Sequence, residues 1–268
     1  MTAGADGRAA RRARTRLIVA AMAFIAVVAI VASLVVDHYR TASPTAAPTP
    51  VMIAPSGVGR DAAAEQALAT RLMVWLPASA AQPHALAESP GAPIIVPTSA
   101  TGGPWIPAAF PLSPEGALAQ LVALDEAGVN GGDPDTYARA YAELAVSGAP
   151  PVAESGLYTV LARFRQAAGL SAGEVRTELA VRYEVTEGLI KGTADGGRYV
   201  VACVLGELST DVHGYGARLG VGDCQAMLWA GSGWRISDGP RAAYAASAWP
   251  GTAEAAGAGY RLLAGVGR

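Results

Sequence analysis

The chain has 268 residues, 51% of them hydrophobic, two cysteines, three histidines and a formal net charge of −2, with a mean hydropathy of +0.29. The charge is uneven. Arg8, Arg11, Arg12, Arg14 and Arg16 precede the first apolar run, opposed by Asp6 alone, so 15 basic and 21 acidic residues remain and the main body carries −6. A surface that neutralises phosphates must be basic, so this balance argues against nucleic-acid binding by the main body.

Residues 17–36, bounded by Leu17 and Val36, read LIVAAMAFIAVVAIVASLVV, twenty residues without a charge. At 1.5 Å rise per residue such a helix spans about 30 Å, the thickness of a bilayer core. The preceding arginines place residues 1–16 in the cytoplasm as a basic arm and everything after Val36 outside. A cleaved signal peptide would have a shorter apolar run and a small-residue cleavage motif, and DHYRTASP supplies no clean one. The expectation is a single-pass cell-membrane protein with an extracytoplasmic C-terminal part.

Residues 37–60 form a Pro/Ala-rich linker that cannot bury a core. Residues 61–110 contain a proximal helix and a Pro-rich connector. DAAAEQALATRLMVWL predicts a helix over 61–76, capped by Asp61, with Ala64, Leu68, Leu72 and Trp75 on one stripe and Pro77 as its stop. That stripe either packs on the distal domain or serves a partner or the membrane. PIIVP, bounded by proline on both sides, is at best a short edge strand.

The distal domain is expected over 111–240, followed by a C-terminal tail over 241–268. Ser113-Pro114-Glu115 opens a helix: serine suits the cap, proline the first position, and glutamate the positive end of the dipole. Leu118, Leu121, Val122 and Asp125 share helical spacing. A second helix starts at Asp133-Pro134, with Tyr137, Tyr141, Leu144 and Ala145 on one side. A third runs from about Glu154 to Ala168, with Leu157, Val160, Leu161 and Phe164 inward. The period then becomes two. EVRTELAVRYEV puts Val175, Thr177, Leu179, Val181, Tyr183 and Val185 on one face. RYVVACVLGEL is apolar on both faces and suits a central strand. GARLGVGDCQAMLWA and GWRIS supply a third and a fourth. The fold class is α+β: about three helices packed on a curved antiparallel sheet, after one N-terminal transmembrane helix.

Pairing the second and third strands so that Cys203 meets Cys224 sets Val201 opposite Ala226 and Tyr199 opposite Leu228, an apolar register. Outside the membrane the two cysteines are a candidate disulfide, with buried thiols as the alternative. No metal spacing emerges from two cysteines and His38, His84 and His213. Asp211 and His213 lie near a hairpin tip, Ser155 and Ser171 lack a nucleophile-elbow context, and no phosphate-binding loop is present. Tyr183 and Tyr199 could line the cavity of a cone-shaped fold, but Glu178, Glu184 and Glu187 alternate outward or lie at strand ends, which leaves no acid for it. No catalytic, cofactor-binding or metal-binding residue is assigned, and no cofactor is expected.

The stretches VPTSATGGP…SPEGAL, WAGSGWRISDGP and AYAASAWPGTAEAAGAGYRLL resemble an uncharacterised family of actinobacterial single-pass membrane proteins carried by integrative conjugative elements. The helix–helix–helix–sheet order is similar to the nuclear-transport-factor-2-like fold found in conjugation scaffold proteins of the VirB and Tcp types. The resemblance implies a non-enzymatic scaffold or accessory subunit of a type IV secretion-like DNA-transfer apparatus. It would contact lipid through its anchor and other protein subunits, including itself, through its outer domain. The alternative is a cell-envelope enzyme or small-ligand binder using the cone cavity.

Overall fold

The computed structural model describes residues 59–87, 91–100, 105–212 and 215–265. The anchor run 17–36, the five arginines and the linker up to residue 58 lie outside these residues, as do His38 and His213. Among the described residues no helix is long and apolar enough to cross a membrane.

The fold is α+β, built on a curled, mostly antiparallel sheet. Its strands are β1 (Ile94–Ile95), β2 (Leu179–Ala194), β3 (Tyr199–Val212), β4 (Tyr215–Ala230), β5 (Gly233–Ile236) and β6 (Arg261–Ala264). They lie in the order β1-β6-β2-β3-β4-β5. The β2–β3–β4–β5 meander is antiparallel throughout, while β1 joins β6 in parallel at the far edge. The folded unit therefore draws on 94–95 and 261–264 as well as on the 111–240 stretch.

Three helices cover one face: α2 (Pro114–Val129), α3 (Pro134–Leu144) and α4 (Gly156–Ala168). Each begins as the sequence dictates. The Ser113, Asp133 and Ser155 side chains accept the first free backbone N–H groups, and Pro occupies the first turn of α2 and α3. Helix α4 ends at Gly169, whose φ of 66° closes the last turn. Helix α2 is the central one. It buries residues on every side, among them Leu118, Leu121, Leu124 and Asp125, because the connector 105–110 packs behind it. Their core joins Val181, Tyr183, Val185, Val200, Ala202, Val204 and Met227 of the sheet.

The opposite face of the sheet is also covered, but not by a helical layer. Helix α1 (Ala62–Thr70) and two irregular stretches, 71–87, extended but for a 3-10 turn over Ala78–Ala81, and 237–251, lie across it. The stretches are laced by Ala243 N–H to Ala69 O, Trp249 N–H to Ala80 O and Ala87 N–H to Gly251 O. A second core forms there from Tyr199, Val201, Cys203, Leu205, Cys224, Ala226, Ala242, Ala245, Ala246, Ala248 and Tyr260. A short helix, α5 (Ala253–Gly257), turns the chain into β6. Strand β3 is thus central and buried on both faces, as its double-sided apolar pattern requires.

Several expectations need correction. The predicted helix over 61–76 ends at Thr70. Beyond it the chain is extended, because Arg71 and Lys191 each bond the other's backbone carbonyl and Met73 turns toward Cys224. Ala64 and Leu68 face the sheet, whereas Leu72 and Trp75 point to solvent. The α1 helix therefore packs on the distal domain. The first long strand begins at Leu179, and Val175 is 86% exposed in the preceding turn, off the expected inner face. Helix α4 starts at Gly156, after a short 3-10 turn over Val152–Glu154.

Candidate functional site

Two features could carry function: polar groups sealed in the core, and apolar groups left outside it.

The sealed group begins with Asp125. It shares the inward stripe of α2 with Leu118, Leu121 and Val122, and it is fully buried. Tyr137 of α3 donates to its Oδ1 at 3.5 Å, and Ser155 donates to the Tyr137 hydroxyl at 3.2 Å. Asp125 Oδ2 has no partner among the described residues. Asp223 and Gln225 approach from β4, with Gln225 Nε2 donating to Asp223 Oδ2 at 2.8 Å. The backbone N–H groups of Cys224 and of Leu157, in the first turn of α4, also donate to Asp223.

Burial dominates the electrostatics of this cluster. It pushes Asp125 well above the usual carboxylate range, and the neighbouring Asp223 charge adds to the effect. Burial lifts Asp223 to about 7, against hydrogen bonds from Gln225, Cys224 and Leu157 that favour its ionised form. Tyr137 and Tyr183 are likewise raised by burial, then by the two aspartates.

The expectation that the interior lacks an acid is therefore corrected: Asp125 and Asp223 are the acids. Both were visible in the sequence. Asp125 lies on the apolar stripe of α2, and Asp223 has the same parity on its strand as Leu219, Val221 and Met227. Glu187 is a second correction. It shares the parity of Val181, Tyr183 and Val185, and the bulge between Val185 and Glu187 turns it to the opposite face, across from Leu205, where the second core and Gly251 bury it. Glu178 and Glu184 are exposed as expected.

The two tyrosines do not share a cavity. Tyr183 lies on the helix face and donates to Val221 O, whereas Tyr199 lies on the opposite face and reaches Glu65 O. No cleft described here reaches Asp125 or Asp223. A cleft of about 440 Å³ lies between α2 and residues 96–99, and an open one of about 510 Å³ beside β2. Both include Glu126 and Asn130, which are engaged with the sheet: Glu126 accepts from Val185 N and Asn130 from Tyr183 N.

The remaining sequence candidates are placed as follows. Cys203 and Cys224 stand opposite each other across β3 and β4, with sulfurs 1.97 Å apart, in the register that also pairs Val201 with Ala226 and Tyr199 with Leu228. Ser155 caps α4, and Ser171 is exposed in a turn. Trp229 and Trp234 meet edge to face at 5.4 Å, and Trp234 donates to Pro111 O, closing the sheet end. His84 bridges Gln82 O and Glu254 at the surface. Among the described residues no group of three His, Cys, Asp or Glu side chains is placed to hold a metal.

The external feature is the extended stretch 71–78. It walls an apolar groove of about 240 Å³ whose other sides are Val160 of α4, Leu219 and Val221 of β4, and Tyr244 to Ser247. Leu72, Val74 and Trp75 on this wall are 77%, 51% and 56% exposed. Sequence reasoning treated Leu72 and Trp75 as part of a helix stripe and did not foresee the groove, whose far wall is an Ala-rich stretch without periodicity.

No protein-family model, no curated protein and no solved structure matches the chain.

Proposed function

We propose that this chain is a membrane-anchored scaffold or accessory component of a conjugative, type IV secretion-like DNA-transfer apparatus. In this reading residues 17–36 form one transmembrane helix with the basic arm in the cytoplasm. The outer domain is a cone-shaped, nuclear-transport-factor-2-like unit that binds other subunits and itself. The chemistry is that of contact rather than catalysis. One observation carries the reading: the acids Asp125 and Asp223 are buried, while large apolar side chains stand outside the folded body beside a groove. Soluble domains rarely leave such a patch without a partner. The family resemblance supplies the apparatus, and the apolar run supplies the anchor.

The test is genetic. Deleting the gene from a donor that carries the element should lower DNA-transfer frequency at least about 100-fold. The wild-type chain should restore it, and a chain with Leu72→Glu and Trp75→Ala should not. Transfer that survives deletion unchanged removes the reading. An envelope enzyme or ligand binder would instead need a solvent path to Asp125 or Asp223, and neither residue lines the clefts described above.

A further inference from the structure

We propose that the groove walled by residues 71–78 is a self-association surface, in which Trp75 of one copy enters the groove of a second copy and receives that copy's Trp75 in return. The proposal rests on the scaffold reading and names one partner for it.

The first argument is rigidity. Helix α1 stops at Thr70, although LMVWL could continue it. The following stretch is held in place by the reciprocal Arg71–Lys191 bonds, by Ala243 N–H to Ala69 O, and by Met73 Sδ lying 3.7 Å from Cys224 Sγ. Met73 and Leu76 turn inward to the second core, and Leu72, Val74 and Trp75 turn outward. The apolar residues are presented from an extended segment held at Ala69, Arg71 and Met73, so less ordering entropy remains to be lost on contact.

The second argument is self-complementarity. A two-fold interface presents the same patch twice, so the patch must contain both a protrusion and a recess. Here they adjoin. Trp75 and Leu72 project, and the recess beside them is floored by Val160, Leu219 and Val221. A lipid surface would take the protrusions but leave the recess empty. An unrelated helix would fill the recess but leave Trp75 uncovered.

The third argument is area and confinement. At their observed exposures, Leu72, Val74 and Trp75 offer on the order of 350 Å², about half of the roughly 800 Å² each partner buries in a standard interface. The groove walls add to this. Tethering lowers the intrinsic affinity, and so the area, that association needs. Twenty-two residues separate Val36 from Gly59, a length of chain that can reach no further than about 80 Å. Anchored copies would share one thin layer beside the bilayer, which raises their effective concentration.

The experiment uses the full chain in its own membrane. One tagged copy carries Val74→Cys, and a second copy with a different tag carries Val160→Cys, which lines the groove from α4. The two native cysteines are bonded to each other, so the introduced thiols are the reactive ones. A short bismaleimide should join the two tags into a heterodimer, and adding Leu72→Glu to both copies should reduce that band at least about tenfold. Because Leu72 is largely exposed, the variant should keep its melting temperature within about 2 °C, which separates lost contact from lost folding. Absence of the heterodimer, or its persistence with Leu72→Glu, overturns the proposal. A dimer that forms without this cross-link overturns it while leaving the scaffold reading intact. A monomer whose tryptophan emission is quenched by brominated phosphatidylcholine, with the quenching lost in Trp75→Phe, overturns it in favour of lipid. If deletion of the gene leaves DNA transfer unchanged while the cross-link forms, the scaffold reading falls and the interface stands.

Discussion

Asp125 sits where α2 meets the sheet, one carboxyl oxygen bonded to Tyr137 and the other bonded to nothing among the described residues. A second acid, Asp223, lies close enough to raise it further. The sign of the consequence is definite. Each carboxyl holds its proton more tightly in the fold than in the unfolded chain, so the folded state binds more protons above pH 4. The stability this provides is fully present below the unfolded pKa and is lost as pH rises through the folded value, about 7 for Asp223. Glu65, Glu126 and Glu187, all raised by burial, act in the same direction. Glu174 and Glu254, lowered by their hydrogen bonds, act in the other direction only at more acidic pH, and Lys191, lowered to about 8 by burial, opposes the fall at the alkaline end. The melting temperature should therefore fall by several degrees between pH 5.5 and pH 8.5. Asp125→Asn removes one charge of the pair while keeping an acceptor for Tyr137, so its decline over that range should be shallower. Thermal melts of both proteins at the two pH values check this, and equal slopes would show that the pair does not titrate between them.

Strand β4 has to do two things at once, and its glycines make this possible. On the helix face it presents Asp223, Gln225 and Met227. On the other face the stretch 237–251 lies directly on the backbone at Gly220 and Gly222. A Cβ at Gly220 would fall 1.8 Å from Ala248 O, and one at Gly222 would meet Ala246 O at 2.6 Å. Ser247 and Tyr260 complete the seam, through Gly222 N–H to Ser247 Oγ and Tyr260 hydroxyl to Ala246 O. Gly220→Ala should lift this covering layer and cost at least about 3 kcal/mol, a fall of roughly 6–12 °C in Tm. Gly131→Ala is the natural control for added bulk, because nothing lies within 4 Å of its Cβ position, although its φ of 84° makes it a strained site as well. If Gly220→Ala melts no lower than Gly131→Ala, the close approach is not what β4 requires. The same strand shows how much was legible beforehand. Strands β3 and β4 pair without a bulge, so their register followed from pairing Cys203 with Cys224. Strand β2 carries two bulges, and after Val185 alternation no longer reports which side a residue faces. The end of α1 was hidden for a different reason. Its sequence favours continuing the helix, and only Lys191, 120 residues later, decides that Arg71 is extended.

At the scale of the whole molecule the sheet is a wall between two cores, and the Cys203–Cys224 bond belongs to the core built largely from alanines. The helix-side core is rich in Leu, Val, Phe and Tyr and was readable from helical periodicity. The other side was not, because 237–251 has no period and its burial follows from where the chain lies. Small side chains bury little area each, so that side depends more on covalent and hydrogen-bonded restraint. The disulfide closes a loop across 21 residues of sequence separation, which in the chain-entropy model stabilises by about 3 kcal/mol. Replacing both cysteines by alanine should then lower the melting temperature by roughly 6–12 °C. The bond also bears on where the domain lives, since thiols in a reducing cytosol stay reduced and those outside the membrane oxidise. Cells producing the full chain can be quenched in acid, denatured, and treated with a mass-tagging maleimide before and after reduction. Location outside the membrane requires no mass shift before reduction and a two-tag shift after it. A two-tag shift without reductant would place the domain in a reducing compartment and reverse the orientation inferred from the arginine arm.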